Sequence, residues 1–198
     1  MEQNYDFEEI RCYNDSEVPE KLWPLIERPE IEAFVKGAFP DIDMVQLRTQ
    51  IKQITTIDGF QQAVISRFVF DMIKKTCASF EVYGAEKVNR DKASLFITNH
   101  RDIVFDPAII CGGLFKNQLK TAEVAIGDNL FAYDWIEQLV RLNKCFVVKR
   151  NVPVRQMLDI SKRLSAYIHY TINVKNNPIW IAQREGRSKD SKDDTQPS

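Results

Sequence analysis

The chain has 198 residues, 44% of them apolar, which suits one domain with a sizeable core. Its 27 basic and 28 acidic residues nearly cancel, so no global field draws it to nucleic acid, and any anion binding has to come from a local cluster. Apolar runs such as Phe68-Val69-Phe70 and Ala108-Ile109-Ile110-Cys111 stop well short of the roughly 18 residues of a membrane span, and the acidic start MEQNYDFEEIR lacks the apolar segment of a secretory signal, so a cytoplasmic chain is expected.

The first third, residues 1–79, reads as helical. Pro29-Glu30-Ile31 begins with proline and acid, as a helix start should. Asp41 to Ile54 puts Ile42, Val45, Leu47, Ile51 and Ile54 on one side. From Asp58 towards Cys77, Phe60, Val64, Phe68 and Met72 recur every fourth residue, which predicts one long amphipathic helix. That stripe is expected to pack on the core, and an amphipathic face in this third is the candidate for membrane contact.

From Phe80 the pattern changes to alternation. Runs rich in β-formers at Phe80 to Tyr83, Ser94 to Thr98, Thr121 to Ile126, Cys145 to Lys149 and Pro178 to Ala182 alternate with helical stretches at Asp106 to Phe115, Asp128 to Leu142 and Val152 to Val174. The fold class that follows is α/β: a helical N-terminal part, then a mixed, largely parallel sheet flanked by helices over residues 80–187. Residues 188–198 read as a polar tail, all within one domain, and stopping directly behind a motif suggests a truncated chain. Cys12, Cys77, Cys111 and Cys145 show no CxxC spacing and no paired histidines, so they are expected to be reduced, with no metal site.

Ligands of such sheets bind beyond the carboxyl ends of strands. Three polar groups stand there: Asn99-His100, Lys149-Arg150, and Arg184-Glu185-Gly186-Arg187. His100, with Asp106 six residues on at a helix start, has the makings of a general base, because a carboxylate on one ring nitrogen leaves the other to accept a proton. No serine or cysteine stands beside it as a nucleophile, so its target is a substrate hydroxyl. A structural histidine closing the strand is the bland alternative. Arg150 and Arg187 can bind phosphate in a two-pronged geometry, with Lys149, Arg101 and Arg184 adding to the field. His100-Arg101-Asp102 also spells the HRD of a kinase catalytic loop, but Pro107 stands where that loop needs asparagine, and no glycine-rich phosphate loop is present.

With these residues in place, the stretch from about Phe80 to Arg187 resembles the glycerolipid acyltransferase family of lysophosphatidate and glycerol-3-phosphate acyltransferases. Asn99-His100 with Asp106 is similar to its first block, Phe146-Val147-Val148-Lys149-Arg150 to its second, and Glu185-Gly186-Arg187 to its third, in that order. There are departures. Five residues separate His100 from Asp106 where the family has four, which would point to Phe105, so either Asp106 or Asp102 orients the ring; Asp106 is preferred because it keeps a carboxylate at the helix start. Arg184 replaces the family's proline, and Arg187 follows glycine directly.

The resemblance implies an O-acyltransferase without metal or cofactor. His100 would deprotonate a hydroxyl of glycerol phosphate or a lysophospholipid, which attacks an acyl thioester on coenzyme A or acyl carrier protein. Arg150, with Glu185, Gly186 and Arg187, would hold the acceptor's phosphate. Backbone amides at the helix start after Asp106 are candidate oxyanion donors. A lipid product implies peripheral contact with the cytosolic face of a membrane. The alternatives are a catalytically silent lipid-phosphate binding module and a thioesterase or esterase in which water replaces the acceptor.

Overall fold

Proline and short polar side chains open the helices of the first third. In the computed structural model, which describes residues 5–150 and 152–182, α1 spans Val18–Ile26, α2 Pro29–Ala38 and α3 Met44–Ile51. Pro29 opens α2, where its missing N–H has no intrahelical partner to lose. Asp43 starts α3 by accepting from the amides of Val45 and Gln46 at 2.9 and 3.1 Å. The helix expected from Asp58 begins at Ile57 instead, because the Thr56 hydroxyl caps Gly59 N at 3.0 Å. It runs as α4 (Ile57–Phe60), a π turn at Gln61–Ile65, and α5 (Ser66–Thr76).

The stripe on that helix is spent on packing. Phe60 is fully buried with Leu22, Leu25 and Ile51, Val64 lies against the same core, and Phe68 sits between the rings of Phe34 and Phe39. Full burial of such a side chain is worth about 1.5–3 kcal/mol, so this face has no reason to leave the core. Leu142 from the second half belongs to the same buried group, which joins the helical third to the α/β part.

Four strands follow: β1 (Leu95–Thr98), β2 (Glu123–Gly127), β3 (Cys145–Val148) and β4 (Ile179–Ala182). They are linked by α6 (Phe105–Lys116), α7 (Asp134–Leu142) and α8 (Val154–Asn173), one helix in each crossover. The strand order is β1-β4-β2-β3, and every pairing is parallel. The sheet expected to be largely parallel is all parallel among the described residues, with a helix in each connection to supply the crossover that parallel pairing needs. Phe146, Ile179 and Tyr167 form the core under α8, and Val124, Trp180 and Leu114 the core under α6.

Two expected elements differ. Phe80 to Tyr83 is not a strand: Val82 lies against Gly113 of α6, and Phe80 packs on the ring of Phe70, so these β-formers supply side-chain contacts without a neighbouring strand to pair with. The helix expected over Asp128 to Leu142 is divided into a 3-10 turn at Asp128–Leu130 and α7, with Tyr133 extended between them. The four cysteines are free thiols.

Candidate active site

Because all four strands are parallel, their carboxyl ends share one rim. β1 ends there at Thr98, followed by Asn99 and His100; β2 ends at Gly127, followed by Asp128; β3 ends at Val148, followed by Lys149 and Arg150. β4 ends at Ala182, paired with Thr98. Arg184, Glu185, Gly186 and Arg187 lie outside the described residues.

His100 is mostly buried, and its Nδ1 lies 2.9 Å from Asp106 Oδ2. Asp106 stands in the first turn of α6, so the strand end and the helix start hold the pair between them. The same Oδ2 accepts from the amides of Arg101 and Asp102 at 2.7 and 3.0 Å, which fixes the carboxylate before it meets the ring. With Nδ1–H donating to Asp106, Nε2 is the nitrogen left with a lone pair, and it has no partner among the described residues.

Asp102 has a different task. Its Oδ1 accepts from the amides of Val104 and Phe105, both at 2.8 Å, and so ties the turn that leads into α6. The extra residue between His100 and Asp106 is therefore taken up in a loop tied by two carboxylates, with Phe105 already in the helix. The amides after Asp106 cannot serve as the oxyanion donors expected there: Pro107 has no N–H, and Ala108 N donates to Val104 O at 3.1 Å.

Underneath the histidine stands a residue that the strand pattern alone did not single out. Trp180 of β4 is buried, its ring meets that of His100 edge to face at 6.2 Å, and its indole N–H donates to Thr98 Oγ1 at 3.0 Å. Thr98 Oγ1 in turn donates to Asn99 O at 3.0 Å, so Trp180 props the strand end from which the histidine projects. Asn99 and Arg101 are exposed on the rim.

The end of β2 positions Arg150. Asp128 Oδ1 accepts from Arg150 N at 2.9 Å, and a Cβ on Gly127 would stand 3.3 Å from both Cγ and Nε of Arg150. Glycine lets the arginine stem lie across the β2 end, which leans its charge towards the middle of the sheet. The Gly127-Asp128 pair was open to detection from sequence, since it too ends a strand on the ligand-binding rim.

An ordered imidazole–carboxylate pair at this rim suits proton removal from a hydroxyl. A family model described as Acyltransferase matches residues 79–193, more than half of the chain. The chain belongs to the glycerolipid acyltransferase family. That span takes in the four described strands of the acyltransferase and both described strand-end groups. A comparison with curated proteins finds no match.

Proposed function

We propose that this acyltransferase moves a fatty acyl group from a coenzyme A or acyl-carrier-protein thioester to a hydroxyl of glycerol 3-phosphate or lysophosphatidate, a step of phospholipid synthesis. The observation that carries the reading is the His100–Asp106 pair, 2.9 Å apart and held at the carboxyl rim of a parallel sheet in a chain of this family.

His100 Nε2 takes the hydroxyl proton as the acceptor oxygen bonds to the thioester carbonyl carbon, and Asp106 stabilises the imidazolium that forms. The tetrahedral intermediate collapses by breaking the carbon–sulfur bond. The thiolate leaves and recovers the proton from the imidazolium, so His100 ends as it began. The leaving thiol and the incoming alcohol balance the exchange, and the step as written calls on no metal or prosthetic group.

Arg150 is the anchor for the acceptor's phosphate. Its stem crosses the end of β2, which lies two strand spacings, roughly 10 Å, from the end of β1 that carries His100. A gap of that order accommodates a three-carbon acceptor with its hydroxyl at the imidazole and its phosphate at the guanidinium. Glu185, Gly186 and Arg187 are assigned to the same phosphate on the family pattern alone. A lipid product implies work at the cytosolic face of a membrane by peripheral contact; no helix among the described residues is long and apolar enough to cross one.

The test follows free thiol released from an acyl-coenzyme A with glycerol 3-phosphate and then lysophosphatidate as acceptor. His100→Ala should lower acceptor-dependent release by about 10²- to 10⁴-fold. Arg150→Ala should instead raise the acceptor's half-saturation roughly tenfold to a hundredfold, the loss of one charge-assisted contact. Release that proceeds equally without acceptor would make the protein a thioesterase. An unchanged acceptor dependence in Arg150→Ala would remove the phosphate assignment.

A further inference from the structure

The first six residues of α8, Val154 to Asp159, are all exposed. Three of them are large and apolar: Val154 is 84% exposed, Met157 52% and Leu158 64%. At positions i, i+3 and i+4 they form one short stripe on the helix. The stripe continues, in the first turns, the side by which Leu164, Ile168 and Ile172 hold α8 to the sheet: at 3.6 residues per turn Val154 is in line with Ile172, and Met157 lies between Leu164 and Ile168. Here, where α8 starts, nothing among the described residues covers it.

Its place in the fold matters. α8 begins six residues after β3 ends, on the rim that carries His100 and Arg150. The other two strand-to-helix connections expose apolar side chains on that rim as well: Ile103 and Val104 before α6, and Tyr133 before α7. On the side of the stripe away from the core, Arg155 and Lys162, seven residues and so about two turns apart, are both exposed. Asp159 is the single acid among these first turns and lies beyond the two cations, away from the stripe. Apolar side chains bordered by cations on one exposed helix face are what an anionic lipid surface accommodates: the chains enter below the headgroups and the cations meet the phosphates.

We infer that the first turns of α8, with Ile103, Val104 and Tyr133 on the same rim of the sheet, form the face by which the protein rests on an anionic bilayer, with the His100 rim turned to the lipid. The inference deepens the acyl-transfer reading and rests on it for the choice of partner, since a lipid acceptor or product would then enter and leave through the membrane-facing rim. A second copy of the chain is the competing occupant.

The experiment is flotation of the full chain with phosphatidylcholine vesicles, with and without phosphatidylglycerol, alongside sedimentation without lipid. Wild type should float with the anionic vesicles. The combined Val154→Ser, Met157→Ser and Leu158→Ser variant should lose about tenfold or more of that partition, because little else in α8's first turns can enter the acyl region. Arg155→Gln with Lys162→Gln should lose the preference for phosphatidylglycerol and keep the weaker binding to neutral vesicles. All five positions are exposed, so folding is not at stake. Wild type that stays with the soluble fraction, a serine variant that floats as wild type does, or a wild-type dimer that the serine variant turns into a monomer would each overturn the inference. Thiol release from a short acyl-coenzyme A with glycerol 3-phosphate, measured without vesicles, separates the two readings. The serine variant should match wild type there. If instead wild type floats, the serine variant does not, and His100→Ala releases thiol as wild type does, the acyl-transfer reading falls and the lipid face stands.

Discussion

One oxygen of Asp106 serves three donors: the ring of His100 and the amides of Arg101 and Asp102. Asp106→Asn puts a neutral group there, so the imidazolium formed in the reaction loses its counter-charge while the loop keeps an acceptor. The expected outcome is a fall in kcat of about 10²- to 10⁴-fold with a small change in acceptor half-saturation, read from thiol release. Asp102→Ala should do the reverse. It frees the amides of Val104 and Phe105 at the entry to α6, at about 0.5–1.5 kcal/mol per hydrogen bond in urea unfolding, with kcat reduced much less. If Asp102→Ala proved the more damaging to kcat, the orienting role would belong to Asp102. Both carboxylates were legible in sequence because they fall within six residues of the histidine. Trp180 was not, since its bond to Thr98 spans 82 positions and depends on β4 lying beside β1.

At the scale of elements, the β2 end decides where Arg150 can lie. A methyl group on Gly127 would come within 3.3 Å of the Arg150 stem and 2.4 Å of Asn129 Oδ1. Asn129 can swing aside as a side-chain tip, whereas the arginine stem has to give by a few tenths of an ångström and shift its charge over the β2 end. Gly127→Ala should therefore raise acceptor half-saturation by up to about tenfold, less than Arg150→Ala, and leave kcat near wild type. Equal half-saturation in variant and wild type would mean that the stem's path over β2 is not what presents the charge. The helices and the four strands could be read from periodicity because each buries one face against a neighbour. Phe80 to Tyr83 could not, since β-forming side chains say nothing about whether a strand is available to pair. The break before α7 was hidden in the same way: Phe131 and Tyr133 continue an apolar pattern through a segment whose backbone has left the helical region, with Tyr133 extended.

Across the molecule, the rim opposite the candidate site is tied by a buried carboxylate. Glu123, fully buried at the start of β2, accepts from Tyr167 Oη at 2.6 Å, Lys175 Nζ at 2.7 Å and Asn177 Nδ2 at 3.2 Å. Cys12, from the amino-terminal segment, lies against this group, 3.7 Å from Tyr167 Oη and 3.9 Å from Lys175 Nζ. Burial first, and then the charge of Glu123, push the Cys12 thiol up to about 11 from its ordinary 9.0. In that window the unfolded chain has released a proton that the folded chain keeps, so stability falls as pH rises through it. Two pH units at about 1.4 kcal/mol each make the loss from Cys12 roughly 2–3 kcal/mol, nearly complete just above pH 11. Cys145, also buried and also raised, acts with the same sign. For Lys175, burial favours the neutral amine, but Cys12 and Glu123 outweigh it and the pKa is raised, so its contribution is present below 10.5 and lost above. Urea midpoints taken from about pH 8 to 11 should drop for wild type and drop less for Cys12→Ala, which has no thiol to hold neutral. Parallel curves would show that the alkaline loss comes from other groups and that the Cys12 contact with Tyr167 and Lys175 is packing alone.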